Sequence, residues 1–329
     1  MGSLQTPFLV YDGHMKNTHL EHPEDSVLLG KKAVQDTINY LRNCKGDCSV
    51  KYDGAPAIVF GTHPVTNKFF VGTKSVFNKK KVKVNYTHSD IQNNHSNNEK
   101  VAGILHTCLE VLPKLEGIYQ GDFIGYGGSR TFTPNTITYN FVGDDNTILD
   151  SSIVFVCHTQ YSGDTSCVEG SENPLNKLTA SFEVPEYLKY NFMSTYFVNP
   201  DAQFTSRRRR IDYILGLASV VSNFVRYPET KKEQEELKVA INKCIRENVP
   251  VDCIDGNLLL LFNLLTKAKD LIVEGITVTG DQVDAVIDLG VDYIASGHEG
   301  YVHSNDYGTF KLVNRRQFSY YNFTKPKGW

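Results

Sequence analysis

The sequence predicts an α+β protein built mainly of antiparallel strands, with a large helical segment inserted late in the chain. Up to about residue 165, strand-like runs occur in pairs joined by short turns, without the regular alternation of strands and helices that a parallel sheet requires. Residues 205–290 are dominated by helical periodicity, and strand character returns afterwards. We therefore predict a β-rich domain of residues 1–204 and 291–329 and a helical subdomain of residues 205–290.

The elements of the first part follow from periodicity and turn residues. Apolar residues at helical spacing predict a helix over 24–43, and residues 49–61 and 68–77 predict two strands joined by the turn "THPVTN". The polar, Asn-rich residues 79–100 predict a loop, and residues 101–115 return to a helical period.

The later elements are predicted in the same way. A strand that ends in glycines, "GIYQGDFIGYGG", precedes a strand pair, "NTITYNFV" and "SSIVFVCHTQY". Three helices follow, with a fourth possible in "TGDQVDAVIDLG", and two short strands surround an Asn-Asp-Tyr-Gly turn near the C-terminus.

Composition limits the class of protein. The chain is 40% hydrophobic and 22% charged with a net charge of −3, so any nucleic-acid surface has to be a local patch. Its N-terminus lacks a signal-peptide pattern, and the sequence contains no run of 18 apolar residues. The seven scattered cysteines indicate reduced thiols. We expect a cytoplasmic protein without a membrane partner, in the host cytoplasm if the source is viral.

Four motifs carry the functional prediction: "KYDG" from Lys51, "QGDFIG" around Asp122, "HEGYV" around Glu299 and "FKLVNR" around Lys311. Each lies at or beside a predicted strand, and burying a lysine is costly unless it is paired or reactive. If these strands line one groove, it holds two lysines and three carboxylates, including Asp53. Such a set suits chemistry on a nucleoside triphosphate, because carboxylates hold Mg²⁺ and ribose while lysines neutralise phosphate or attack it.

In this order the motifs resemble the signature of the covalent nucleotidyltransferases, the polynucleotide ligases and mRNA capping enzymes. "KYDG" and "EGYV" match that signature fully, and in "GDFIG" Asp122 stands where glutamate is commoner. The longer stretches "HLEHPED", "KYDGAPAIVFG", "FFVGTKS" and "FKLVNR" are similar to ligase-like proteins of large tailed bacteriophages. The resemblance covers about residues 1–165 and 290–320 and omits the helical segment.

The resemblance implies a ligase-type nucleotidyltransferase domain that uses ATP and Mg²⁺ or Mn²⁺. Lys51 would form a phosphoramidate with AMP, and Lys311 would neutralise phosphate charge. Asp53 would contact the ribose or steer Lys51, Asp122 would hold a ribose hydroxyl and a metal ion, and Glu299 would bind the metal. The other nucleotide contacts expected are Val50, Gly54, Lys74 at the phosphates, and Phe155 stacked on the purine, with Val156 or His158 as alternatives to Phe155.

Several features depart from the family pattern. Pro56 stands where an arginine is common, and the usual K-x-K motif is reduced to Lys311, with Arg315 as a possible substitute for the missing charge. Too few residues follow Lys311 to form the OB-fold barrel of DNA ligases and capping enzymes. RNA ligases more often have a helical domain instead, although here the helices precede the fourth motif.

Two basic stretches are candidate nucleic-acid contacts. Arg207 and Arg208 lie in "SRRRR" and Lys80 in "NKKKVKV", and Arg315 is a further candidate. A solvated helix start and a charged edge strand are equally compatible with these two stretches. The acidic and histidine residues of "HLEHPED" favour a helix cap over a metal site.

The function predicted is an ATP-dependent polynucleotide ligase, with RNA favoured. It would seal 5′-phosphate and 3′-hydroxyl ends through lysyl-AMP and an adenylylated 5′ end. One alternative is a nucleotidyltransferase that adenylylates an acceptor other than nucleic acid, which the incomplete K-x-K motif favours. Another is a degenerate nucleotide-binding module whose helical segment binds a protein partner.

Overall fold

The computed structural model describes residues 20–43, 45–143, 146–163, 173–206, 209–288 and 294–318. The α-helices in chain order are α1 (Lys31–Arg42), α2 (His88–His95), α3 (Glu99–Val111), α4 (Thr147–Asp150), α5 (Arg209–Val221), α6 (Lys231–Arg246) and α7 (Gly256–Val273). Short 3₁₀ helices span Pro23–Leu28, Lys74–Phe77, Pro174–Lys177 and Glu186–Lys189.

The strands in chain order are β1 (Asp47–Val50), β2 (Ala57–Thr62), β3 (Phe69–Gly72), β4 (Ile118–Tyr126), β5 (Thr131–Phe132), β6 (Thr138–Phe141), β7 (Ile153–Ser162), β8 (Thr179–Ser181), β9 (Thr195–Phe197), β10 (Asp201–Phe204), β11 (Ile276–Val278), β12 (Val283–Asp288), β13 (Ile294–Ser296), β14 (Gly300–Asn305) and β15 (Gly308–Val313). They form sheets in the orders β11-β10-β1-β14-β15, β3-β2-β4-β7-β8 and β13-β12-β6-β5, with β9 beside β7. The fold is α+β with antiparallel pairing throughout these sheets except between β7 and β9, which are parallel.

The first sheet brings together segments that are far apart in sequence. β14 and β15 form the hairpin predicted around the Asn-Asp-Tyr-Gly turn, and β14 also pairs with β1. Beyond the end of β1, the Lys51 amide still donates to the Gly300 carbonyl at 2.9 Å. The "KYDG" and "HEGYV" motifs therefore lie next to each other.

The second sheet contains the predicted hairpin of β2 and β3, and β4 lies between β2 and β7. Asp122 on β4 is opposite Ala57 on one side and Val156 on the other. Residues 51–56 connect β1 of the first sheet to β2 of the second. This connection brings the "KYDG" motif next to both sheets.

The third sheet corrects two predictions. Residues 283–288, considered as a fourth helix, form β12, because Val283, Ala285 and Ile287 are buried in alternation with more exposed neighbours. The strand run predicted to pair with β7 is instead β6, which pairs with β12 and β5. The helical segment therefore ends at Val273, before residue 290.

The prediction of a separate helical subdomain changes accordingly. Helices α5, α6 and α7 share one hydrophobic cluster with α1, the 3₁₀ helix Pro23–Leu28 and Leu312 of β15. Leu312 lies on the strand that carries Lys311, so the helices contact that strand, α1 and the first 3₁₀ helix as well as one another.

Two further local predictions were wrong in detail. The helix expected over 24–43 is interrupted at Gly30, whose φ of 100° ends the 3₁₀ turn and begins α1. The loop expected over 79–100 contains α2, which begins with a capping box of Thr87 and Asp90. Asn98 caps the N-terminus of α3, where its side chain accepts a hydrogen bond from the Val101 amide.

A buried ionic network joins the N-terminal segment to the helices. Lys269 of α7 donates to Glu24 at 2.8 Å, and both side chains are 1% exposed. Arg315 donates to Asp25 at 2.6 Å and lies 3.4 Å from Glu24. Glu24 and Asp25 of "HLEHPED" are thus buried ion-pair partners, whereas Glu21 pairs with Lys238 at the surface. Arg315 is buried and is not available to a nucleic acid as predicted.

No described helix combines the length and the apolar character needed to cross a membrane.

Lys269→Met should lower the free energy of unfolding by about 3–5 kcal/mol, because it leaves the buried Glu24 carboxylate with Arg315 alone, 3.4 Å away and shared with Asp25. The exposed pair Lys232–Glu236 on α6 provides the control, since Lys232→Met should change stability by less than about 0.5 kcal/mol. Urea titrations of both variants measure the difference. Equal losses of unfolding free energy in the two variants would show that burial of the network does not stabilise the fold.

Candidate active site

An ion pair between Lys51 and Glu299 lies at the centre of the site. Lys51 follows β1 and Glu299 precedes β14, so pairing of these adjacent strands brings the two side chains together. The Lys51 ammonium donates a short hydrogen bond to Glu299 Oε2. The Lys51 side chain keeps 30% of its surface exposed and that of Glu299 keeps 10%, so the pair is only partly accessible to solvent. We call the region around this pair the cleft.

The surroundings of Lys51 act on its protonation in opposite directions. Burial favours the neutral amine, but Glu299, Asp53 and Asp122 favour the ammonium, and the net pKa lies above its usual value. Burial also raises the pKa of Glu299, against the opposing effect of the Lys51 charge. Lys51 is therefore an ammonium ion held by carboxylates.

Asp53 is positioned by residues that the sequence analysis did not identify. The Asn135 amide donates to Asp53 Oδ2 at 2.9 Å, and the Thr136 hydroxyl donates to the same oxygen at 3.2 Å. The Asp53 backbone amide donates to the buried Tyr139 hydroxyl oxygen at 2.7 Å. All three partners lie in "NTITYN", which was identified only as a strand, since its pattern does not show what it faces.

Asp122 lies beneath the connection between the two sheets. Gly54 packs so closely that a Cβ there would be 2.6 Å from Asp122 Cβ and 2.9 Å from the Phe123 carbonyl oxygen, so only glycine fits. The Ala55 amide donates to that same carbonyl at 3.0 Å. His158 Nε2 lies 3.6 Å from Asp122 Oδ1, which adds an imidazole to this side of the cleft.

Lys311 lies on β15 beside the segment before the first 3₁₀ helix, and its amide donates to the Glu21 carbonyl at 3.1 Å. Burial is the largest influence on its pKa, and with the charges of Lys51 and Arg315 it outweighs the opposing carboxylates of Glu21 and Asp25. The pKa of Lys311 is therefore lowered. Within the described ranges, the Lys311 ammonium has no hydrogen bond or ion pair.

His22 follows directly after Glu21 and is 9% exposed. Its Nδ1 atom is buried and has no hydrogen-bond partner among the described residues. Burial first, and then the charges of Arg315 and Lys311, lower the pKa of His22, so the imidazole is neutral. On this side of the cleft the Lys311 ammonium, which has no partner among the described residues, lies beside a neutral imidazole, and such an ammonium suits a phosphate group.

Two predicted nucleotide contacts are turned away from the cleft. Phe155 is 0% exposed and packs edge-on against Phe60 and Phe197, with ring centroids 5.7 and 6.0 Å apart. Val156 lies directly opposite Asp122 on the same side of the sheet, so Phe155 points to the other side and cannot stack on a bound purine. Val156 itself is buried in the core at 3% exposure. The Val50 side chain is likewise in the core, at 3% exposure.

The remaining predicted residues are scattered. Lys74 begins a 3₁₀ helix capped by Thr73 and is partly exposed beside β3. Lys80 is exposed in a segment without strand structure, so the edge strand considered there is absent from the described residues 78–84. Arg207 and Arg208 lie outside the described residues.

A magnesium ion fits this site only in part. Among the described residues, no three histidine, cysteine, aspartate or glutamate side chains are arranged to hold a metal ion. Glu299 and Asp122 could each supply a carboxylate oxygen. Mg²⁺ is commonly bound in this way, through one or two carboxylates together with substrate phosphates and water.

Glu299→Gln should lower the pKa of Lys51, because it removes the carboxylate that stabilises the ammonium. Reaction of Lys51 with an amine-specific reagent, followed by peptide mass spectrometry across a pH series, measures the shift. Labelling of Lys51 should then begin at a lower pH than in the wild type. The control is Glu247→Gln, which disturbs only the exposed Lys243 pair. Identical Lys51 profiles in all three proteins would contradict the assigned cause.

The comparisons with known proteins give a family and no function. A family model described as "Family of unknown function (DUF6267)" matches residues 17–255 and 254–327. No curated protein matches the chain, and no solved structure does. The two family matches together span most of the chain, including all four motifs of the cleft. The chain therefore belongs to this family of unknown function.

Proposed function

We propose that the protein is an ATP-dependent polynucleotide ligase, with RNA as the favoured substrate, and that it carries AMP on Lys51. The observation that carries the proposal is the Lys51–Glu299 pair, which lies where two sheets meet, with Asp53 and Asp122 close enough to affect the pKa of Lys51. Lys311 adds an ammonium that no other described residue pairs with, and its charge acts on the same groups as that of Lys51. The ligase-type nucleotidyltransferase fold is part of this proposal.

In the first step, the neutral Lys51 amine attacks the α-phosphorus of ATP. A P–N bond forms, the bond between the α-phosphorus and the bridging oxygen breaks, and pyrophosphate leaves. Lys51 must first lose a proton, and Glu299 accepts the hydrogen bond through which that proton can depart. Mg²⁺ bound by Glu299 or Asp122 and the phosphates would supply charge neutralisation.

Other side chains of the cleft have roles that match their positions. Asp53 and Asp122 present carboxylate oxygens to ribose hydroxyls, and Asn135 and Thr136 keep Asp53 in place. The Lys311 ammonium offsets negative charge on the departing phosphates. With Phe155 in the core, His158 is the ring that faces the cleft, 34% exposed, where a purine could stack.

In the second and third steps AMP passes to a 5′-phosphate, and a 3′-hydroxyl then displaces it. The second step forms a phosphoanhydride between AMP and the 5′-phosphate and breaks the P–N bond to Lys51. The third forms a phosphodiester and releases AMP. Helices α5 to α7, which pack against the strand of Lys311, support RNA over DNA because RNA ligases more often combine this type of domain with helices.

One observation favours a different acceptor. Val313, where the second lysine of K-x-K would stand, is 3% exposed in the core, and Thr309 bonds to Ser304. Arg315 is engaged by Asp25 and Glu24 and cannot supply the missing charge. With a single lysine there, transfer of AMP to a protein or metabolite is the second candidate.

Incubation with α-labelled ATP and Mg²⁺ should attach acid-labile label to the wild type, and mass spectrometry should locate it on the Lys51 peptide. Lys51→Ala should take up no label, whereas Lys80→Ala should match the wild type because Lys80 is exposed on a separate segment. The proposal would be refuted if wild-type protein that is free of bound AMP took up no label, or if the label were found on Lys311.

Labelled enzyme given 5′-phosphorylated RNA should lose its AMP to the RNA and then join RNA ends. DNA of the same sequence should be joined at least about tenfold more slowly, a difference in activation free energy of about 1.4 kcal/mol. Gel electrophoresis of both products measures this. Label that stays on the enzyme with either polymer, but moves to a small molecule or protein, would favour the second candidate.

A further inference from the structure

Four lysines lie close together in the chain between β3 and α2: Lys74, Lys79, Lys80 and Lys81, which we call the lysine segment. Lys79, Lys80 and Lys81 are exposed, and Lys74 is partly exposed. Among the residues that the structure describes, none forms a hydrogen bond or an ion pair with any of these four ammonium groups. In a chain with a net charge of −3, this segment is therefore a local concentration of unneutralised positive charge.

The segment is held in place although residues 73–84, all of them described, contain no strand. The Asn173 side-chain amide donates to the Val76 carbonyl at 2.7 Å and to the Asn78 carbonyl at 3.0 Å, on the N-terminal side of the three exposed lysines. On their C-terminal side, the Lys83 ammonium donates to the Asn94 carbonyl at 2.5 Å. Because the backbone is fixed on both sides, a ligand that binds these lysines does not have to order the chain.

The chain returns to β3 after the segment. Asn85 and Val71 exchange two backbone hydrogen bonds, of 3.0 and 3.1 Å, and the Asn85 side-chain amide donates to the Val71 carbonyl at 2.9 Å. Gly72 lies against the same loop, since a Cβ there would be 2.4 Å from Val76 Cγ1 and 3.0 Å from the Lys83 carbonyl oxygen. The lysine segment is therefore part of a packed loop that begins and ends at β3.

This loop leaves the sheet at the end that carries the candidate active site. Gly72, the last residue of β3, is opposite Val59 of β2, and the chain beyond Gly72 runs in the direction of Ala57. Ala57 is itself opposite Asp122 of β4, and the connection that contains Lys51 enters β2 at that point. Two strand spacings, about 10 Å, separate β3 from β4. A polymer whose end lies in the cleft is therefore within reach of the lysine segment.

We propose that the lysine segment binds the phosphate backbone of the nucleic acid whose 5′-phosphate end occupies the cleft. The identity of this ligand rests on the proposed function, because the ligase reaction brings a phosphate chain to this end of the sheet. Lysine ammonium groups bind phosphates as point charges, and each contact releases counterions from the nucleic acid. The segment thus holds the strand near its 5′ end independently of its base sequence.

Fluorescence anisotropy of a labelled, 5′-phosphorylated single-stranded RNA tests the proposal, with the full chain titrated at several salt concentrations and without ATP. Replacing Lys79, Lys80 and Lys81 together by alanine should weaken binding at least about tenfold. It should also reduce the slope of log K against log salt by about 2, since each phosphate contact of a single strand contributes about 0.7. Replacing the same three residues by arginine should preserve the affinity, because the charges remain.

The control is a triple alanine variant of Lys31, Lys32 and Lys45. It has the same net charge as the first variant, and it removes exposed lysines near the two ends of α1. Since α1 packs in the helical cluster and not on β3, this variant should bind the RNA like the wild type. Circular dichroism melts establish that all the variants are folded.

A wild type that does not bind the RNA would overturn the proposal. Equal losses of affinity in the two alanine variants would also overturn it, because they would reflect net charge alone. If poly-glutamate displaced the labelled RNA as well as unlabelled RNA does, the segment would be assigned to an acidic protein instead.

The labelling of Lys51 by ATP needs no RNA, so the two proposals can fail separately. A labelled Lys51, together with RNA binding that the first alanine variant leaves unchanged, would refute this inference alone. An unlabelled Lys51, together with RNA binding that only this variant loses, would refute the ligase reaction alone.

Discussion

The site depends on the passage of residues 51–56 from the first sheet to the second. At one end the Lys51 amide continues the ladder to Gly300, and at the other Gly54 and Ala55 pack on β4 beside Asp122 and Phe123. Because both ends are fixed, Lys51 and Asp53 are held over Asp122 without belonging to either sheet. The short distance between Gly54 and Asp122 leaves no room for any side chain.

The buried ionic network of Glu24, Asp25, Lys269 and Arg315 connects the helices to this site. Glu24 and Asp25 are held by Lys269 and Arg315, so the 3₁₀ helix Pro23–Leu28 is tied to α7 and to the end of β15. That attachment places His22 beside Lys311. Removing one partner of such a network is costly because it leaves an uncompensated buried charge. The complete network adds little to the free energy of unfolding, because burying its charges is itself costly. Its main effect is therefore to fix the position of the segment.

The two lysines of the cleft differ in electrostatic state. Carboxylates raise the pKa of Lys51, whereas burial and neighbouring cations lower that of Lys311. Lys51, the predicted nucleophile, is therefore the more firmly protonated of the two, and Lys311 loses its proton more easily. A nucleotide with its metal ion would change this balance, because positive charge near Glu299 weakens its hold on the Lys51 proton.

The sequence by itself determined most of the local elements and indicated the residues of the candidate site. Turn residues and period-two alternation predicted both hairpins, and the helical periods predicted α3, α5, α6 and α7. The four motifs identified Lys51, Asp53, Asp122, Glu299 and Lys311 because their residue types are expensive to bury without a partner or a reaction.

Only the tertiary structure decided which way side chains face and which partners they have. Phe155 and Val156 are adjacent and both apolar, and only the pairing of β7 with β4 shows which one lies on the same side of the sheet as Asp122. Arg315 belongs to a buried network because the fold brings Glu24 and Asp25, some 290 residues away in the sequence, to its guanidinium group. Such long-range contacts leave no periodic signal in either segment, because each depends on a neighbour supplied by another part of the chain.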